Sequence, residues 1–255
     1  MTLSAMFAGL KARNEIALIP YVTAGYPTTA ASLDYIDRAA SAGADAVEVG
    51  LPFSDPVADG PTIQFASHEA LEAGFRTRAF LEALSERRMA CPLIVMTYLN
   101  PLLALGEDAC SILARAGFRA MVIPDLPAEE AAPISAQAAR CGIDLVLLAS
   151  PTSSPERLRL IGGASKGFVY VVSVVGTTGA RREADPELPR ILDKVRAATA
   201  LPLVAGFGLS EPAHIRAIAA HADGAIVGSR LVEAIRKGED FAALIRFLKQ
   251  ATRRH

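Results

Sequence analysis

The chain has no tryptophan, three cysteines and four histidines in 255 residues, and its charges nearly cancel. Each scarcity excludes something. Cys91, Cys110 and Cys141 are odd in number and scattered, with no C-x-x-C pair and no histidine at ligand spacing, so neither a disulfide framework nor a zinc site is expected. They read as buried apolar thiols. His68, His214, His221 and His255 fall in predicted helices, near a helix end or at the terminus, away from other potential ligands, so no metal is expected. Lys+Arg of 26 against Asp+Glu of 27 gives a formal net charge of -1 and no basic stripe, which argues against a nucleic-acid partner. Although 51% of residues are hydrophobic and mean hydropathy is +0.31, no apolar run approaches the ~20 residues of a membrane helix. Met1 to Glu15 lack a basic leader followed by an apolar stretch, so the cytoplasm is the expected location. No Pro-, Ser- or charge-rich linker divides the chain, and residues 1–255 are expected to form one domain that buries roughly three-quarters of its unfolded surface.

What is present is a repeat. Short runs rich in Val, Ile and Leu alternate with helical segments, the pattern of parallel strands buried on both faces. Eight strands are predicted: Ile16–Thr23, Asp45–Leu51, Leu93–Tyr98, Ala120–Asp125, Asp144–Ala149, Phe168–Ser173, Leu203–Gly206 and Ala225–Gly228. Between them Ala31–Ala42, Ser111–Ala116, Ala213–Ala220 and Phe241–Lys249 carry apolar residues at helical spacing. Ser154-Pro155-Glu156, Asp185-Pro186-Glu187 and Ser210-Glu211-Pro212 read as helix starts, and Gly43, Gly117 and Gly142 as stops. Eight strand–helix units in about 250 residues match an α/β (β/α)8 TIM barrel. An open doubly wound sheet is the alternative, because alternation alone does not prove closure. Leu3, Met6, Phe7 and Leu10 predict an extra N-terminal helix over the barrel bottom; the other reading, a membrane-surface anchor, lacks a basic face.

Barrel chemistry gathers at the C-terminal ends of the strands. Glu48 sits there on the second predicted strand, between Val47 and Val49, where an unpaired carboxylate is costly to bury. Desolvation should raise its pKa and suit it to giving and taking protons; a structural ion pair with an arginine is the bland alternative. The stretch Pro52–Gln64 follows, with two acids, three prolines and a glycine, restricting its backbone while presenting Asp55 and Asp59 above the barrel mouth. Gly206-Phe207-Gly208 and Gly228-Ser229 fall after the seventh and eighth strands, where barrels recurrently bind phosphate through backbone N–H groups.

These stretches, with Leu18–Pro27, Met96-Thr97-Tyr98-Leu99-Asn100-Pro101, Pro124-Asp125-Leu126-Pro127 and Gly176-Thr177-Thr178-Gly179-Ala180-Arg181, strongly resemble the tryptophan synthase alpha chain family from end to end. The resemblance implies retro-aldol cleavage of indole-3-glycerol phosphate into indole and glyceraldehyde 3-phosphate. It makes Glu48 the proton carrier, Asp59 the carboxylate facing the ring N–H, and Tyr170 a supporting tyrosine near the glutamate, although an aromatic in a strand is more often packing. Asp55 is matched to the partner interface or to loop positioning. Thr178 and Gly179 are matched to a third phosphate-binding loop, spanning Gly176–Glu187 and long enough to act as a lid, with Arg181-Arg182 expected to be exposed when it opens. Ser173 is followed by Val174-Val175, where many relatives have an arginine after the serine, which puts that arginine's lid contact in doubt. Tyr21, Met96, Val122 and Pro124 are candidates for an apolar indole pocket by strand-end position, and could equally be core.

None of the five lysines, Lys11, Lys166, Lys194, Lys237 and Lys249, falls at a predicted strand C-terminus, so Schiff-base chemistry is disfavoured. The family implies no cofactor in this chain. It implies a tryptophan synthase beta chain as partner, carrying pyridoxal phosphate, in an alpha2beta2 heterotetramer. Asn100–Gly106 offers an apolar rim for that partner; its bland reading is the start of a covering helix. Two alternatives remain: a stand-alone indole-glycerol-phosphate lyase, and a catalytically idle phosphate-binding barrel, against which the presence of both Glu48 and Asp59 argues.

Overall fold

In a computed structural model, residues 1–172, 186–206 and 208–254 are described. Nine strands run β1 (Ala17–Thr23), β2 (Val47–Gly50), β3 (Leu93–Met96), β4 (Phe118–Val122), β5 (Asp144–Val146), β6 (Leu148–Ala149), β7 (Val169–Val172), β8 (Leu203–Gly206) and β9 (Gly224–Val227). Their order is β5-β4-β3-β2-β1-β9-β8-β7-β6, and every pairing is parallel. The two ends of this sheet are consecutive in the chain, separated only by Leu147. The predicted fifth strand is therefore one strand broken in two. Its first half pairs with β4 and its second with β7, while the Leu147 N–H turns to Ser165 Oγ and its carbonyl accepts from the Tyr170 N–H. Through that break the sheet curls into the expected barrel, not an open sheet.

Buried aliphatic residues explain the interior: all seven residues of β1 and all four of β2, β3, β8 and β9 are buried. The N-terminal helix, Leu3–Ala12, is capped by Thr2 and buries Leu3, Met6, Phe7 and Leu10. Phe7 meets Phe168, the residue ahead of β7, edge-on at 6.1 Å, so the helix covers the barrel bottom. Gly43, Gly117 and Gly142 end helices with positive φ, as their stop-signal reading requires.

Boundaries moved in instructive places. Pro61–Gln64, read as the end of a loop, is the first turn of a helix, Pro61–Glu72, with proline at its tolerated start. A second helix, Thr77–Ser85, fills the rest of the long gap before β3. Ser154 caps Pro155–Ala164 through its side chain, but Ser210 does not cap Pro212–Ile218. That helix starts from Glu211 without a side-chain cap, and Ser210 is buried, with its N–H donated to His214 Nδ1 at 3.3 Å. Cys91 and Cys110 are buried and Cys141 half-buried. Among the described residues no group of His, Cys, Asp and Glu could hold a metal, and no helix is long and apolar enough to cross a membrane.

Candidate active site

Strand register decides which side chains meet at the barrel mouth. Tyr21 on β1 lies opposite Glu48 on β2, and Gly50 lies opposite Met96 on β3. A Cβ on Gly50 would overlap the Tyr21 hydroxyl, and one on Gly206 would overlap the Tyr170 hydroxyl. The two strand glycines thus make room for two tyrosine rings beside Glu48. Gly206, expected in the phosphate site, has this packing duty.

A cavity opens here. Tyr21, Glu48, Asp59, Met96, Tyr170, Gly208, Gly228 and Ser229 line it, eight of the fourteen residues singled out above. Val122 is buried in β4 and does not line it. Pro124 lies instead on a separate cavity bounded by Leu147, Leu148 and Arg157. Val122 is register-paired with Met96 and so shares the sheet face of Glu48, but neither it nor Pro124 is among the residues that line this cavity. Thr178, Gly179 and Phe207, with Ser173 to Asp185, lie outside the described residues.

The acids are in an unusual state. Glu48 is 1% exposed, and its Oε1 is buried without a hydrogen-bond partner. Burial, and then the charge of Asp59, push its pKa up to about 8. Asp59 Oδ1 is likewise buried without a partner. Burial pushes its carboxyl up to about 7, with the Tyr98 hydroxyl pulling the other way. Near neutral pH Glu48 therefore carries a proton to give, while Asp59 sits at the balance between acid and carboxylate. Tyr21 and Tyr170 are raised well above the usual tyrosine range, chiefly by burial, and stay neutral donors.

Sequence reasoning passed over Tyr98, which fixes the loop that carries Asp59. Its hydroxyl accepts the Ala58 N–H at 2.9 Å and its ring tilts against Phe53 at 5.3 Å. Gln64 Nε2 donates to the Asp59 carbonyl at 2.8 Å from the adjoining helix. Asp125 also had no assigned role; it accepts the Leu99 N–H and so anchors the helix Leu99–Ala104. Asp55 is exposed, bonded by the neighbouring Ser54 hydroxyl. Ile63, Leu209, Ser210, Ile226 and Arg230 line the cavity without having been foreseen. Arg230 was detectable as the residue after Gly228-Ser229; the others needed the fold.

Comparison with known proteins places this geometry. The family model described as "Tryptophan synthase alpha chain" matches residues 7–253. The tryptophan synthase alpha chain of Chloroflexus aurantiacus is 46% identical over 91% of this chain and 88% of its own. That of Arabidopsis thaliana is 41% identical over 93% and 88%. The chain belongs to the tryptophan synthase alpha chain family. Among solved structures, Mycobacterium tuberculosis tryptophan synthase superposes with a TM-score of 0.93 at 39% identity, covering 99% of this chain and 98% of that one. The alpha subunit of Legionella pneumophila tryptophan synthase gives 0.87 at 32%, covering 99% and 98%. Tryptophan synthase alpha chains are carbon–carbon lyases of tryptophan biosynthesis, cleaving indole-3-glycerol phosphate, and this chain is one of that kind. The helix Ser229–Lys237 begins at the cavity, with Gly228 as its cap, so its first N–H groups and positive dipole end lie at the cavity wall.

Proposed function

We propose that this cavity breaks the carbon–carbon bond of indole-3-glycerol phosphate by acid–base catalysis with side chains alone. The observation that carries the assignment of roles is Glu48, a buried acid still protonated near pH 7, in the same cavity as Asp59. Glu48 gives its proton to the ring carbon bearing the glycerol phosphate chain. Positive charge develops on the ring nitrogen, and Asp59 as a carboxylate accepts the ring N–H and stabilises it. The side-chain hydroxyl then loses its proton to the Glu48 carboxylate as the carbon–carbon bond breaks; its electron pair returns to the ring, leaving indole and an aldehyde, and Glu48 regains its starting form. Tyr170 and Tyr21 keep the site dry around the acid, and Met96 with Ile63 forms the apolar wall for the ring. Gly208, Gly228 and Ser229 receive the phosphate at the helix N-terminus, with Phe207, Thr178 and Gly179 as further contributors.

The full chain, residues 1–255, acts as one domain and as the alpha subunit of a cytoplasmic alpha2beta2 assembly. Pyridoxal phosphate belongs to the beta chain, which joins the released indole to serine. Exposed Val57, at 82%, and Leu103, at 62%, give the active face apolar contacts suited to that partner. Indole release by the purified chain, with and without beta chain, tests the reading. Stimulation by the beta chain and loss of release in Glu48→Gln are expected. Wild-type turnover in a folded Glu48→Gln chain would remove the mechanism, and full activity without stimulation would identify a stand-alone lyase.

A further inference from the structure

At the opposite end of the barrel, below β3 and β4, the fold collects what the overall composition conceals. An open cavity is lined by Arg87, Arg88, Arg115 and Arg119, with Met89 and Pro92 among its apolar walls and no carboxylate among its described lining residues. The four arginines come from two segments, one following the helix Thr77–Ser85 and one spanning the end of the helix Ala109–Arg115 and the start of β4.

Their existing partners do not balance them. Arg87 is ion-paired with Asp37. Arg119 Nη1 donates to the Ala114 and Phe118 carbonyls, at 3.4 and 2.9 Å. Arg88 and Arg115 are exposed, with no side-chain hydrogen bond or ion pair among the described residues. The two helix C-termini supply about half a negative charge each. Four positive charges against one carboxylate and about one charge from helix ends leave about two uncompensated. A helix-end role accounts for one arginine per helix, not for both pairs.

We propose that this cavity binds a small molecule bearing two or more linked phosphates. The argument is charge and shape: a guanidinium fork matches phosphate oxygens two at a time, and the two unpaired forks demand at least a dianion. Met89 and Pro92 leave an apolar wall for an organic group attached to the phosphates. The site lies on the bottom face and is separate from the one that binds substrate phosphate.

Isothermal titration of the full chain with inorganic tripolyphosphate and with ADP, in metal-free buffer, tests this. One-to-one binding is expected, weakening as NaCl is raised. The pair Arg88→Ser/Arg115→Ser should weaken it at least ~10-fold, and Arg88→Lys/Arg115→Lys should lose less, because charge survives without the fork. Both positions are exposed, so melting temperature and indole release should be unchanged. Tighter binding of ADP would identify a nucleotide, and tighter binding of tripolyphosphate an inorganic chain; either supports the site. No heat, equal affinity in wild type and the serine pair, competition by substrate phosphate for the same stoichiometric site, or tighter binding of polyglutamate would overturn it.

Discussion

The two ends of the barrel treat carboxylates withdrawn from water in opposite ways. At the bottom, Asp45 precedes β2 and Asp223 precedes β9. Asp45 Oδ2 accepts from the Leu18 N–H at 2.8 Å and from Lys249 at 2.7 Å. Asp223 accepts from the Leu203 N–H at 2.9 Å and from Arg254 at 3.0 Å, and it pairs with Arg196. Burial raises the Asp223 pKa, but the Leu203 N–H and the arginines outweigh it and hold the carboxyl below its usual value. At the top, buried Glu48 and half-buried Asp59 have no ion pair with a cation among the described residues, and both rise. Burial is common to both ends, so the partner sets the sign. Bottom acids tie the sheet together, whereas top acids are left short of partners so that a substrate can supply them.

The sharpest way to break this contrast is to make Glu48 unable to ionise. Glu48→Gln keeps the shape and removes the proton, so kcat for indole release should fall by ~10²–10⁴ with circular dichroism unchanged. The same substitution should stabilise the fold. Glu48 holds its proton to about pH 8 when folded, against an ordinary value of 4.5. Between these values the unfolded chain binds fewer protons, so wild-type stability falls as pH rises through that window. Glutamine lacks this dependence. Urea unfolding should therefore find Glu48→Gln more stable than wild type by about 4–5 kcal/mol at pH 8.5, with the gap closing towards pH 4. A pH-independent gap would show that Glu48 is not a neutral buried acid in the native protein.

Gly206→Ala tests the space and not the charge. Its Cβ would meet the Tyr170 ring, and the expected cost is about 1–3 kcal/mol of stability together with reduced kcat. Unchanged activity would mean that Tyr170 can move without disturbing Glu48.

Much of the barrel was legible because buried parallel strands are written as continuous apolar runs: the boundaries of β8 were read to the residue, and β1 within one. The break at Leu147 was not, because it arises from closure, a contact between the two ends of the sheet that no local pattern encodes. Glu48 was legible for a physical reason, as a charge between two valines at a strand end. Asp59 needed the family resemblance, because an acid in a polar loop has no distinguishing local context. Tyr98, Leu209 and Ile226 were hidden by looking like core. Val122 and Pro124 were placed by strand-end position, which fixes depth in the barrel but not whether a side chain reaches the cavity wall, and neither lines it.

The smallest expected effect lies with the bottom acid. Asp223→Asn keeps the side-chain size but removes the charge that Arg196 and Arg254 share, and the side chain is 25% exposed, so solvent screening reduces the loss to about 1–2 kcal/mol. Here the sign runs the other way. A carboxyl whose folded pKa lies below its ordinary 3.8 contributes stability that is present above that value and disappears as pH falls through the folded pKa. The asparagine variant should thus be less stable than wild type at pH 7 and approach it below about pH 3, with kcat unchanged. The two substitutions exchange a carboxylate for an amide of the same shape at opposite ends of one barrel. If urea titrations at pH 7 moved both variants in the same direction, partner supply would not be what separates the binding end from the structural end.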